Sequence, residues 1–199
     1  MHIIWNPGGG DPVSQYESQM KRWASQGFVI YSEESQWSGD QCPKALDWLF
    51  EQNQNPSSAL YNKLDTTRFA AGGFSLGSVG AYNVAADKRI KTTIHCDGGS
   101  FDGKGNEQWR NPTCVMNGLN DGGLASDNTE RDYNQAKVPI WYGGIIGGGH
   151  GSTIWDGLDA VTGWLRWQLA GDESLKDNFL TPGGRFNNGI YKSKWKNWN

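Results

Sequence analysis

Arg68-Phe69-Ala70-Ala71-Gly72-Gly73-Phe74-Ser75-Leu76-Gly77-Ser78-Val79-Gly80-Ala81 decides how this chain is read. Its first five residues form an apolar run of strand length, and Ser78 to Asp87 reads as a helix of small residues. Gly73-Phe74-Ser75-Leu76-Gly77 is therefore a sharp turn from strand to helix. A serine hydroxyl becomes a nucleophile only when a base takes its proton and its oxygen stands clear of the surface. A Gly-x-Ser-x-Gly turn meets the second condition, because glycines on either side avoid collisions that side chains would cause. The chain holds 28 glycines, so the pattern alone arises easily by chance. The strand before it and the helix after it make Ser75 the candidate nucleophile.

Outward from this turn, short apolar runs alternate with helix-period segments, the pattern of a parallel sheet with helices on both faces. His2 to Trp5, Phe28 to Tyr31, Ile90 to Cys96, Thr113 to Asn117 and Val138 to Tyr142 read as further strands. With Arg68 to Gly72 they predict a mostly parallel sheet of about six strands. Helices are expected from Val13 to Ala24, Pro43 to Gln52, Thr129 to Lys137 and Trp155 to Leu169. No repeat or linker divides the chain, so 1–199 reads as one α/β domain, with 172–199 as an irregular tail.

Three histidines compete for the role of base. His2 precedes the turn, and His95 lies in an apolar strand, where a core histidine bonded to a neighbour is expected. His150 follows the last strand in a glycine loop, at the carboxyl end where sites of such sheets open. It also completes the chain order nucleophile, acid, histidine. For the acid, Asp121 leads, because it follows the strand Thr113 to Asn117. Asp97 is its rival, directly after Cys96, whereas Asp127 reads as a helix N-cap. Negative charge on the attacked carbonyl oxygen needs backbone donors. The amide of Leu76 is one, and Gly9 or Gly10 in the loop after the first strand supplies the other. That loop has no Gly-Lys-Ser/Thr and no dinucleotide fingerprint, so a phosphate nest is the weaker reading. Phe74, Phe101, Trp109 and Trp155 are the aromatic candidates for contact with substrate. No cofactor or metal is called for.

Composition removes several classes. A net charge of -3 without a basic stripe speaks against nucleic acid as partner. No apolar run approaches the roughly 20 residues of a membrane span. With three cysteines and no leader-like start, a reduced cytoplasmic setting is the expectation. A leader already removed would instead make the protein secreted. Eleven tryptophans imply either a bulky core or an aromatic binding surface, and composition leaves both open.

Several stretches resemble the dienelactone-hydrolase-like and cutinase-like branch of the α/β-hydrolases, which includes bacterial polyester (PET) hydrolases and related lipases. They are Trp23-Ala24-Ser25-Gln26-Gly27-Phe28-Val29-Ile30, Ala45-Leu46-Asp47-Trp48-Leu49, the serine turn, Asn117-Gly118-Leu119-Asn120-Asp121, Gly149-His150 and Trp164 to Asp172. The resemblance implies an α/β-hydrolase fold and a carboxylic ester hydrolase with Ser75, His150 and Asp121 as triad. The partner implied is a small-molecule or polymeric ester. A thioesterase or acyltransferase would use the same triad, and a non-catalytic aromatic-rich binding module is the reading outside enzymology. In the polyester hydrolases an aromatic residue of the oxyanion loop and a tryptophan after the sixth strand clamp the acyl ring. Here the first loop offers glycines and Asp11, and the later region offers Phe101 and Trp109. Matched to that branch, the chain begins at its third strand and lacks the leading antiparallel strands. The sheet edge so exposed is expected to be covered by a homodimer contact or by the C-terminal tail.

Overall fold

Small residues let Phe69 to Phe74 run through the middle of the sheet. In the computed structural model, which describes residues 1–198, a Cβ on Gly72 would press against the ring of Trp5 on one side and Ile94 on the other. The strands are β1 (His2–Asn6), β2 (Val29–Ser32), β3 (Phe69–Phe74), β4 (Ile90–Cys96), β5 (Thr113–Gly118), β6 (Ile140–Ile145) and β7 (Tyr191–Lys196). They lie in the order β2-β1-β3-β4-β5-β6-β7. The first six are parallel and β7 is antiparallel to β6. The fold is α/β, with a mostly parallel sheet as the alternation of elements predicts.

Helices α1 (Glu17–Ser25), α2 (Gln41–Gln54), α3 (Ser78–Val84), α4 (Leu124–Gln135), α5 (Ser152–Trp155), α6 (Leu158–Gln168) and α7 (Lys176–Leu180) cover the two faces. Successive side chains of a strand point to opposite faces. Thus Ile3 and Trp5 pack with Trp23, Trp164 and Leu165, while Ile4 packs with Leu46 and Leu49. Trp5, Trp23, Trp141 and Trp164 are fully buried, so much of the tryptophan content is core. Cys42, Cys96 and Cys114 are buried free thiols. Among the described residues no helix is long and apolar enough to cross a membrane.

Four expectations need correction. The sheet has seven strands, and the seventh comes from the tail expected to be irregular. Phe179, Phe186 and Tyr191 are buried against Trp141 and Trp164, which orders the tail. Tyr191-Lys192-Ser193-Lys194-Trp195-Lys196 pairs along the whole of β6, while β2, at the end where the leading strands were expected to be lacking, is the other edge of the sheet; residue 199 lies outside the described residues. The helix expected from Trp155 to Leu169 is split at Gly157, where a Cβ would collide with the carbonyl of Thr153 and the tip of Met116. The segment starting at Val13 opens with a 3-10 turn, Val13–Tyr16, before α1. Asp127 is not an N-cap: α4 starts at Leu124, with Gly123 before it, and Asp127 sits inside the first turn.

Candidate active site

Ser75 follows β3 directly, with φ of 51°. A non-glycine residue in that left-handed region costs about 1–3 kcal/mol and is held only by its surroundings. Here the surroundings are two close approaches. A Cβ on Gly73 would overlap the carbonyl of Gly77, and a Cβ on Gly77 would overlap the carbonyl of Asn6 at the end of β1. Both glycines of the motif are sterically required. The second approach also carries Leu76 to the loop after β1, where a Cβ on Gly9 would lie 2.9 Å from a methyl of Leu76.

That loop is braced from within. The hydroxyl of buried Tyr16 accepts from the Gly8 amide at 3.0 Å and donates to Asp11 at 2.5 Å. Burial, then the Asp11 bond, pushes the Tyr16 phenol well above its ordinary value. Among the described residues the amides of Gly9 and Gly10 have no hydrogen-bond acceptor. Gly9, Gly10, Ser35, Trp37, Ser75, Leu76 and Phe101 line a cleft of about 460 Å³. Residues with free backbone donors therefore share a cleft with the serine.

His150 Nε2 lies 3.0 Å from Ser75 Oγ, and His150 Nδ1 lies 2.8 Å from an Asp121 oxygen. A carboxylate only accepts, so Nδ1 donates to Asp121 and Nε2 is left to accept from the serine hydroxyl. Asp121 is largely buried while the imidazole is 44% exposed, so the ring is open to solvent and its carboxylate partner is sheltered. The loops bearing the two are stitched together. Leu119 donates to the Ile145 carbonyl at 2.9 Å and Asn120 to the Gly148 carbonyl at 2.7 Å. A Cβ on Gly118 would strike the Gly148 and Gly149 carbonyls.

Asp97 is the carboxylate that sequence could not rank out. It is fully buried and accepts from the Gly118 amide (2.8 Å), the Gly151 amide (2.9 Å) and the Thr153 hydroxyl (2.6 Å). Burial raises its pKa, against those three bonds. Its bonds run to the loops around His150 and Asp121, and none runs to the imidazole itself.

The aromatic candidates separate. Phe101 is half exposed and lines the cleft. Phe74 is buried beneath the base, its ring 4.9 Å from that of His150. Trp155 is half exposed beside Gly151, next to His150, and does not line the cleft. Trp109 is a correction. It is buried on the far side of β4, stacked near Tyr82, and its indole N–H donates to His95 Nε2 at 3.1 Å. Trp37 was missed: it is 80% exposed, 6.4 Å from Phe101, and walls the cleft. Its signal was its loop, which follows the carboxyl end of β2 just as the other site loops follow theirs.

His2 and His95 are both buried, which lowers their pKa values to about 4 and about 3. Among the described residues no group of three or more His, Cys, Asp or Glu lies together as a metal site would require. A family model described as PET hydrolase-like matches residues 2–137, a span that includes Ser75 and Asp121. No curated protein matches the chain.

Proposed function

The chain belongs to the PET hydrolase-like family and is a hydrolase with that family's α/β-hydrolase fold; from this premise we propose that it cleaves carboxylic esters through an acyl-enzyme on Ser75. The observation that carries the reading is the continuous hydrogen-bonded chain Ser75–His150–Asp121 on a turn whose glycines are sterically required. His150 Nε2 takes the hydroxyl proton as Ser75 Oγ attacks the ester carbonyl carbon. The oxyanion is held by the amides of Leu76 and of Gly9 or Gly10, and Asp121 stabilises the imidazolium. Collapse breaks the bond to the leaving alkoxy oxygen, which takes the proton from His150. Water then attacks the acyl-enzyme with His150 again as base, releasing the acid and returning the proton to Ser75.

An apolar, extended ester, polymeric ones included, is the substrate class proposed. Trp37, Phe101, Leu119, Leu124, Ile146 and Trp155 are all exposed; Trp37, Phe101, Leu119 and Ile146 lie on loops that follow the carboxyl ends of parallel strands, Leu124 opens α4 and Trp155 closes α5. An apolar surface gathered on the face of the site supports contact with a partner of the same character. A fluorophosphonate probe tests the nucleophile: wild type is expected to label and Ser75→Ala to remain unlabelled. Labelling that survives Ser75→Ala, or a folded wild type that never labels, would overturn the reading. Turnover of p-nitrophenyl esters of increasing acyl length beside an aromatic diester tests the substrate. Preference for the diester supports the class, and activity confined to the shortest acyl chain refutes it.

A further inference from the structure

The loops that carry Asp121 and His150 have little packing of their own. A Cβ placed on Gly122, Gly123, Gly147 or Gly149 would meet nothing within 4 Å, so no side chain wedges the loops at these four positions, although Gly148 is packed against Ser152 and Ile145. Glycine also gives such loops the largest backbone entropy to lose. Yet the imidazole must sit within hydrogen-bond reach of both Ser75 and Asp121 at once. Misplacement by about 1 Å in a catalytic group is enough to slow a reaction on the order of 100-fold. The backbone bonds of Leu119 and Asn120 join the two loops at their bases, and a side chain that grips both would fix them further relative to each other.

Asp97 stands where that constraint is needed. It follows β4 directly, with φ of 47°, and its own amide is bonded to the Met116 carbonyl of β5 at 2.8 Å. One carboxylate oxygen takes the amide of Gly118, where β5 ends and the Asp121 loop begins. The other takes the amide of Gly151, the residue after His150, and the hydroxyl of Thr153 in α5. Three donors converge on two oxygens, a pattern only an acceptor at both positions can satisfy. An asparagine would turn an NH2 group toward an N–H. No cation pairs with Asp97 among the described residues, and a buried unpaired carboxylate is an expensive way merely to fill space.

We propose that Asp97 is the positioning residue of the site, a buried clamp that holds the Asp121 loop and the His150 loop in register. This rests on the serine-nucleophile reading for its effect on rate, but the clamp itself is a statement about geometry. Asp97→Asn should lower kcat on a soluble p-nitrophenyl ester about 10- to 100-fold. KM should change little, because the cleft walls Trp37 and Phe101 and the glycine donors are untouched. Thr153→Val removes one of the three donors and should lower kcat less. Thr153→Ser, which keeps the hydroxyl, should restore it. Proton NMR supplies the independent readout: the His150 Nδ1–H resonance, shifted far downfield by the Asp121 bond, should be sharp in wild type and broadened or lost in Asp97→Asn.

If Asp97→Asn does not fold, the Thr153 pair decides, and equal kcat for Val and Ser refutes the clamp. Unchanged kcat and an unchanged resonance in folded Asp97→Asn also refute it. A fall in kcat matched by the loss of folded protein, with the resonance sharp in what remains, refutes it as well. A wild type that neither labels nor turns over ester defeats the enzymatic reading instead. In that case the resonance alone still tests whether Asp97 holds the two loops.

Discussion

Acid should unfold this protein partly through His95, and the size of the effect follows from where the ring sits. His95 is fully buried on β4, with the Tyr82 ring stacked 4.0 Å away. Its Nε2 accepts the indole N–H of Trp109, a group that can only donate, so that nitrogen carries no proton. Burial pushes the pKa from 6.5 to about 3. The unfolded ring thus takes a proton near its ordinary value while the folded ring refuses one until far lower pH. The corresponding stability is complete above 6.5 and is lost progressively as pH falls toward about 3. Between about pH 7 and about pH 4 the loss amounts to about 3 kcal/mol, a large part of the stability of a domain this size. Urea unfolding followed by tryptophan fluorescence at a series of pH values measures it, with His95→Gln for comparison. Glutamine can still accept from Trp109 but does not titrate. Its substitution displaces the whole curve by a constant and should flatten its acid limb by that same amount. His2, lowered to about 4, contributes equally to both proteins and drops out of the difference. Parallel curves for wild type and His95→Gln would refute the reasoning.

Three further outcomes are expected. Tyr16→Phe strands the buried Gly8 amide and frees Asp11, at about 1–3 kcal/mol; kcat should fall about tenfold or more with KM nearly constant, because donors rather than cleft walls are disturbed. Steady-state kinetics checks this, and a change confined to KM would contradict it. Trp37→Ala removes an exposed ring from the cleft wall and should raise KM for an aromatic ester about 3- to 10-fold while sparing kcat. Gly77→Ala forces a methyl into the Asn6 carbonyl, a clash with backbone that cannot swing aside. A stability loss of about 2 kcal/mol or more is expected, read as a lower melting temperature.

What the sequence made legible depended on whether the cause was local. The serine turn was readable because its two glycines answer to close approaches that any strand-to-helix elbow must make. His150 was readable by elimination, since the other histidines lie in or beside apolar strands. β7 was missed although Tyr191-Lys192-Ser193-Lys194-Trp195-Lys196 alternates strictly. Three lysines hid the alternation, because an edge strand carries charge where a central strand would not. Lys194 in fact lies over the rings of Tyr133 and Tyr142. Trp109 was offered for the cleft because the resemblance puts a clamping tryptophan in the region after Cys96, yet its indole finds a buried acceptor in His95, which only the folded chain brings near. Asp97 remained a rival to the leading Asp121 for a similar reason: both follow strand ends, and only the loop paths decide which one faces the imidazole.

Those loop paths also explain why two carboxylates are needed where one would seem enough for the imidazole. Ser75 and Asp97 each sit directly at a strand end, and both hold a left-handed backbone conformation that the packed sheet enforces. Asp121 and His150 lie further out, in loops where Gly122, Gly123, Gly147 and Gly149 meet no neighbouring side chain. The rigid positions cannot reach each other with a base, and the outlying positions cannot hold themselves still. A carboxylate at a rigid strand end that reaches across β5 to grip both outlying loops resolves the conflict. It leaves Asp121 free to serve the imidazole alone. On this view the tolerance of the site to loop substitutions should depend on Asp97. Gly147→Ala constrains a residue at φ of 74° and should cost little activity in wild type. In the Asp97→Asn background it should cost several-fold more, and a double-mutant cycle of kcat/KM measures the coupling. Strict additivity would mean that Asp97 adds nothing to the backbone bonds that already join the two loops.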